Sequence, residues 1–183
     1  MLIIEKALKE LRDNLQSMTE VVLDMLELVR SSLEQEKIND LEVVFKQDKH
    51  LDQLEKSLDR QCMELLALIN PHASDLRFVF SVIKTNIDLE RMGDECKNVA
   101  REMKSAGDKV PPEMKQLAQM VVDTAKSTFK ALATSDSKLA MEIILDDDKI
   151  DIPGTHVPAW IVALIVLGVV GALFVRRRAK QNQ

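Results

Sequence analysis

The chain has 183 residues, a formal net charge of −5, only five glycines and five prolines, and no tyrosine. That mixture favours helices and starves a β-sheet of its preferred residues, so the composition implies an all-α fold. Setting aside Arg176, Arg177, Arg178 and Lys180 leaves 21 basic against 30 acidic side chains, a balance that argues against nucleic-acid binding, which needs Lys and Arg stripes.

The first segment places Leu8, Leu11, Leu15, Met18, Val22, Met25, Val29 and Leu33 at three- and four-residue steps. This spacing predicts a helix with a narrow apolar seam, as in bundles. Met1 to Leu8 acquires charge too soon to form the apolar stretch of a secretory signal. Asn39 followed by Glu42 reads as a capping-box variant that opens a second helix. The seam of that helix runs Leu41, Val44, Asp48, Leu51, Glu55, Leu58, Cys62, Leu65 and Ile69, so two carboxylates interrupt an apolar stripe. Asn70-Pro71 ends it, because the residue before proline avoids the α region.

A third helix is expected over about 74–105, closed by Gly107 and Pro111-Pro112. Its apolar stripe is read as Leu76, Phe80, Ile83 and Ile87, continued by Glu90 and Asp94. A fourth helix is expected over about 113–134. Ser135-Asp136-Ser137 then supplies a turn and cap for a short fifth helix ending near Asp151. Cys62 and Cys96 lie in helical patterns without CxxC spacing and read as reduced core thiols.

Residues 33–52 and 132–151 align with a shift of about 99 positions, which pairs Asp24 with Asp123, Asp48 with Asp147 and Asp52 with Asp151. The chain therefore reads as a three-helix repeat over 1–106 and a second, partial repeat over 107–152 that stops at Pro153-Gly154. Residues 153–183 follow as a linker, a transmembrane helix and a basic tail. From Val157 to Val175 every residue is apolar, glycine or proline, Gly168 and Gly171 included, with Trp160 near one end and Arg176, Arg177 and Arg178 at the other. About 19 residues at a rise of roughly 1.5 Å nearly cross a hydrocarbon core of about 30 Å, and Trp and Arg are the expected interface anchors.

The candidate chemistry lies on the second and third helices. Asp48 and Asp52, and Glu90 and Asp94, are i, i+4 pairs, each on one helix face, and Asp147 and Asp151 repeat the first pair. Asp52 lies about as far before the Asn70-Pro71 turn as Glu90 lies after it, so an antiparallel hairpin gathers the four carboxylates into one patch. Carboxylates brought together from facing helices are hard oxygen ligands for metal ions. The plain alternative is a set of ion pairs with Lys49, Lys56, Arg77 or Arg91. Gly93 inside the third helix marks a close approach of another helix or a metal. His50, His72 and His156 have no matching ligand set. No nucleophile with a base, phosphate loop or HExxH is present, so an enzyme is not expected.

Residues 70–101, NPHASDLRFVFSVIKTNIDLERMGDECKNVAR, resemble the PhoU family. The matching positions are Pro71, Ala73, Asp75-Leu76-Arg77, Asp88-Leu89-Glu90-Arg91, Gly93-Asp94, Asn98 and Ala100, and the likeness runs over about residues 5–151. The resemblance implies tandem three-helix bundles that bind metal clusters through E/DxxxD motifs: Fe, Zn, Mn or Mg at Asp48, Asp52, Glu90, Asp94, Asp147 and Asp151. It also implies partner binding around Pro71, Asp75, Arg77, Asp88, Arg91, Gly93 and Asn98. The function it implies is negative regulation of phosphate uptake and phosphate-responsive signalling, with subunits of a phosphate ABC transporter and a phosphate-sensing histidine kinase as partners.

Against the family pattern, the second repeat stops early. Its apolar faces then need a homodimer mate, the membrane or a transporter subunit. The positive-inside rule would place the basic tail in the cytoplasm. The resemblance places the bundle there, on the inner or plasma membrane as a single-pass, C-terminally anchored protein, and a tail of eight residues is short enough to cross. The competing reading is a tail-anchored structural bundle with its carboxylates in salt bridges.

Overall fold

The computed structural model describes residues 3–35, 41–68, 71, 73–106 and 112–146. It contains five helices in chain order: α1 (Ile3–Gln35), α2 (Leu41–Leu68), α3 (Ala73–Ala106), α4 (Pro112–Thr134) and α5 (Ser137–Asp146). Helices α1, α2 and α3 pack pairwise into a three-helix bundle, α4 lies along α1, and α5 rests on α4. No described helix is long and apolar enough to cross a membrane. The apolar run at 157–175, the carboxylates Asp147 and Asp151 and the Asn39 cap lie outside the described residues.

The seam of α1 is buried along its length, from Leu8 through Leu11, Leu15, Met18, Val22, Met25 and Val29 to Leu33. In α2 the buried set is Leu41, Val44, Asp48, Leu51, Leu58, Cys62 and Leu65, so one carboxylate is buried with the leucines. Pro112 stands first in α4, where its missing N–H costs nothing. The end of α4 is set by Ser135 at φ 55°, with Asp136 N–H donating to the Ala131 carbonyl (2.9 Å) and Ser135 N–H to that of Leu132 (3.2 Å). These two bonds satisfy carbonyls left over at a helix end. Asp136 then caps α5, its Oδ1 accepting from the N–H groups of Lys138 and Leu139 at 3.0 and 3.1 Å.

The phase of α3 differs from the sequence reading. Its buried apolar residues are Val79, Val82, Leu89, Met92, Cys96 and Ala100, joined by Ser81, Thr85 and Asn86, whereas Phe80 and Ile87 are 52% and 50% exposed. The inward face carries hydroxyls and an amide that an apolar count skips, and the outward face carries two large apolar residues. Asn86 is held by a cross-helix network, its Nδ2 donating to the Glu55 carbonyl (3.1 Å) and to Asp59 Oδ1 (3.0 Å) on α2.

The first three helices share their core with α4, through Ala125 and Phe129. Burial pushes the thiols of both Cys62 and Cys96 up to about 12, consistent with inert core cysteines.

At Gly93, α3 packs directly against Leu51 of α2. A Cβ built there would stand 2.1 Å from Leu51 Cδ2, and Leu51 is itself buried. Alanine at 93 recovers about 1 kcal/mol of helix propensity but overpacks a closed seam at a cost of about 1–3 kcal/mol. Gly93→Ala is therefore expected to lower the melting temperature. In a Gly93→Ala/Leu51→Ala cycle the two losses should sum to more than the double variant shows; additive losses would mean that the two residues are not in contact.

Candidate functional site: an acidic patch bridged by a lysine

The α2–α3 hairpin runs antiparallel, and its cross-links keep one register. Glu42 pairs with Lys104, Asp48 with Lys97, Leu51 fits over Gly93, and Asp59 accepts from Asn86. Each step forward along α2 is matched by a step back along α3. Lys104 also sits 4.8 Å over the ring of Phe45, a second contact tying the open end of the hairpin.

This register assembles the polar residues singled out in the sequence. The Asp48 side chain is 11% exposed, and its Oδ1 lies 2.8 Å from Lys97 Nζ. The same ammonium is 2.5 Å from Oδ1 of Asp94, one turn earlier on its own helix. Glu90 stands beside Asp94, with Asp52 and Glu55 of α2 near enough to act on its charge.

Burial, reinforced by the negative charge of Asp94, pushes the Glu90 carboxyl up to about 6. The hydrogen bond from Lys97 pulls Asp94 down. Burial works against a charged Lys97, but hydrogen bonds to Asp48 and Asp94 outweigh it and lift the ammonium to about 12. Within the patch Lys97 is thus a firmly charged cation, Asp94 a firmly charged carboxylate and Glu90 a reluctant carboxyl.

The structure therefore brings together Asp48, Asp52, Glu90 and Asp94. The sequence reading left metal ligation and internal ion pairing as alternatives, and the arrangement observed is an ion pair. The cation that pairs with Asp48 and Asp94 is Lys97. A divalent ion bridging Asp48 and Asp94 would need oxygens at about 2.0–2.6 Å, in the space where Lys97 Nζ lies. With Lys97 Nζ where it stands, Asp48 and Asp94 do not fit a metal between them. Among the described residues no group of three or more His, Cys, Asp and Glu side chains is placed to hold one. Lys97 is the residue the sequence reading missed; its i, i+3 spacing from Asp94 does not say whether its head group turns to water or across to α2.

The remaining motif residues lie elsewhere. Gly93 is spent on helix packing against Leu51. Arg77, Arg91 and Asn98 are exposed on α3, and Asn98 Oδ1 accepts from Arg101 at 3.2 Å. Asp88 is pushed up by burial, an effect that neighbouring Arg91 only partly opposes. Pro71 stands in the connection ahead of α3. At the other side of the bundle a groove of about 220 Å³ opens between α1, α3 and α4, with Phe78 and Phe129 in its wall and Arg12 stacked 4.7 Å over the Phe78 ring.

These features define a helical scaffold whose polar motif is spent on joining helices and on dressing one surface. Residues 15–103 match the family model for the PhoU domain, so this chain carries a PhoU domain. Among its relatives named phosphate-specific transport system accessory protein PhoU homolog, that of Aquifex aeolicus is 28% identical over 150 residues, covering 80% of this chain and 68% of the relative. That of Pseudomonas putida is 32% identical over 109 residues, covering 57% and 43%. The chain thus spans less than half of one curated relative and about two thirds of the other. The crystal structure of PhoU from Pseudomonas aeruginosa superposes with a TM-score of 0.76 at 24% identity, covering 97% of this chain and 93% of that one, which supports the fold.

The raised Glu90 carboxyl sets a pH dependence. Between the ordinary value of 4.5 and about 6 the folded chain holds a proton that the unfolded chain has lost, so stability falls as pH rises through that window. Above it the ionised carboxylate is a standing penalty, about 1 kcal/mol once solvent screening is allowed for. Glu90→Gln is expected to raise the melting temperature at pH 7.5 by a few degrees and to leave it unchanged at pH 4.5. An equal shift at both pH values would show that the ionisation of Glu90 is not the cause.

Proposed function

We propose that this chain is a non-enzymatic regulator of phosphate uptake and phosphate-responsive signalling that acts by binding subunits of a phosphate transport system and its sensor kinase. The observation that carries the reading is the division of labour on α3 within the PhoU domain. One face of the helix is locked into the bundle, while Arg77, Phe80, Lys84, Ile87, Arg91 and Asn98 are left on the surface. That stripe mixes cations with two large apolar residues on an acidic chain, a composition that suits recognition of another protein. The relatives' designation as transport accessory proteins supports the same reading.

The test is genetic and biochemical together. In a bacterial host lacking its own PhoU, this chain should restore repression of a phosphate-starvation reporter in phosphate-replete medium. Arg77→Glu should be expressed and helical yet fail to repress. A folded, expressed wild-type chain that leaves the reporter unrepressed would overturn the reading.

The membrane part of the proposal rests on the apolar run from Val157 to Val175, flanked by Trp160 and Arg176 to Arg178. It would hold the bundle beside its partners as a single-pass anchor, with the bundle on the cytoplasmic side. The outward Met141 and Leu145 of α5, 44% and 70% exposed, would gain cover there from a transporter subunit or a second copy of the chain. Deleting residues 153–183 should move the protein from the carbonate-resistant pellet to the soluble fraction. Continued pelleting with the membrane would argue against the anchor.

A further inference from the structure

The two carboxylates that the family pattern offers to a metal are joined here by a side chain. Asp48 lies in the α2 seam among Leu41, Val44, Leu51 and Leu58, with its side chain only 11% exposed. A carboxylate in such a place needs a cation, and leaving it alone is strongly destabilising. Lys97 supplies that cation. Its Nζ approaches both Asp48 oxygens, at 2.8 and 3.0 Å, and Asp94 Oδ1 at 2.5 Å.

The reach follows from the fold. Lys97 is three residues beyond Asp94, so both face α2 from the same side of α3. The Leu51–Gly93 contact draws the helices close enough for a lysine stem to span the gap. The lysine side chain is 23% exposed, so its stem is largely covered while its head group lies between the two acids. A divalent ion placed between Asp48 and Asp94 would meet the ammonium in the same space, and two cations so close repel.

We infer that Lys97 is a resident cation taking the place of a metal at the Asp48–Asp94 pair, so that this chain closes its α2–α3 seam there without a metal ion. The inference is independent of the regulatory reading: a phosphate regulator could be built either way, and so could a purely structural bundle. It makes removal of one side chain a gain-of-function change. Without Lys97 the pair is left as two adjacent, partly buried carboxylates, an arrangement of hard oxygens that a divalent metal stabilises.

The experiment uses the full chain in detergent, stripped with a chelator, and its variants Lys97→Met, Asp48→Asn and the double variant. Melting is followed with and without Mn²⁺, and bound metal is counted after desalting. Wild type should retain no metal that Asp48→Asn removes, and its melting temperature should be unmoved by Mn²⁺. Lys97→Met should melt lower when stripped and recover by roughly 5–10 °C with Mn²⁺ at about a hundredfold excess over its dissociation constant. The double variant, with neither charge stranded in the seam, should lose less than the sum of the two single losses and ignore Mn²⁺. Stoichiometric metal on wild type that is lost in Asp48→Asn would overturn the inference, as would a Lys97→Met protein indifferent to Mn²⁺. If Lys97→Met does not fold, the wild-type metal count still decides the matter.

Discussion

The seating of Leu51 over Gly93 is the contact on which the rest of the α2–α3 arrangement depends. A Cβ there would stand 2.1 Å from the leucine methyl, so any larger residue forces the buried Leu51 side chain to move. With that register set, Asp48 one turn earlier on α2 meets Lys97 one turn later on α3, and Asp59 meets Asn86 in the other direction. The polar pairs follow from an apolar fit. Leucine and glycine set how close the helices come, and the charged and amide groups then specify which residues face each other. A slip by one residue would strand Asp48 in the seam without its cation, and a buried unpaired carboxylate costs about 3–5 kcal/mol, a large part of a domain's stability.

This explains why some of the structure was legible in the sequence and some was not. The seam of α1 reads directly, because eight apolar residues repeat at helical spacing and all eight are buried. Helix limits read nearly as well, since Pro112 and the Ser135-Asp136 turn act through local chemistry. The phase of α3 did not. Its inward face includes Ser81, Thr85 and Asn86, whose place is decided by what lies opposite, and Phe80 and Ile87 look out. The convergence of Asp48, Asp52, Glu90 and Asp94 could be argued from hairpin depth. The identity of their cation could not, because nothing in the spacing of a lysine says whether its head group turns to water or across to another helix.

The energetic value of the lysine bridge is mainly specificity. An ion pair this close to the surface gains little over water, and the desolvation of Lys97 opposes its charge before the carboxylates restore it. What the bridge does is penalise alternatives: other registers, other packings of α3, and separation of α2 from α3. Glu90 shows the limit of this arrangement. It shares the patch but has no cation assigned to it, and its carboxyl is raised where that of Asp94 is lowered. One lysine bridges Asp48 and Asp94, and Glu90 carries the cost.

The same division between locked and open surfaces runs along the chain. Helix α4 is bound to α1 by Ala125 and Phe129 in the common core and by the Lys126–Glu27 ion pair, in which Glu27 also engages Arg30 at 2.8 Å. Helix α5 has much less: a small cluster around Ala131 and Ala140, and the Asp136 cap at its start. Ten residues are too few for a helix to hold on propensity alone, so α5 depends on its packing against α4. Local stability therefore falls from the α1–α3 bundle through α4 to α5.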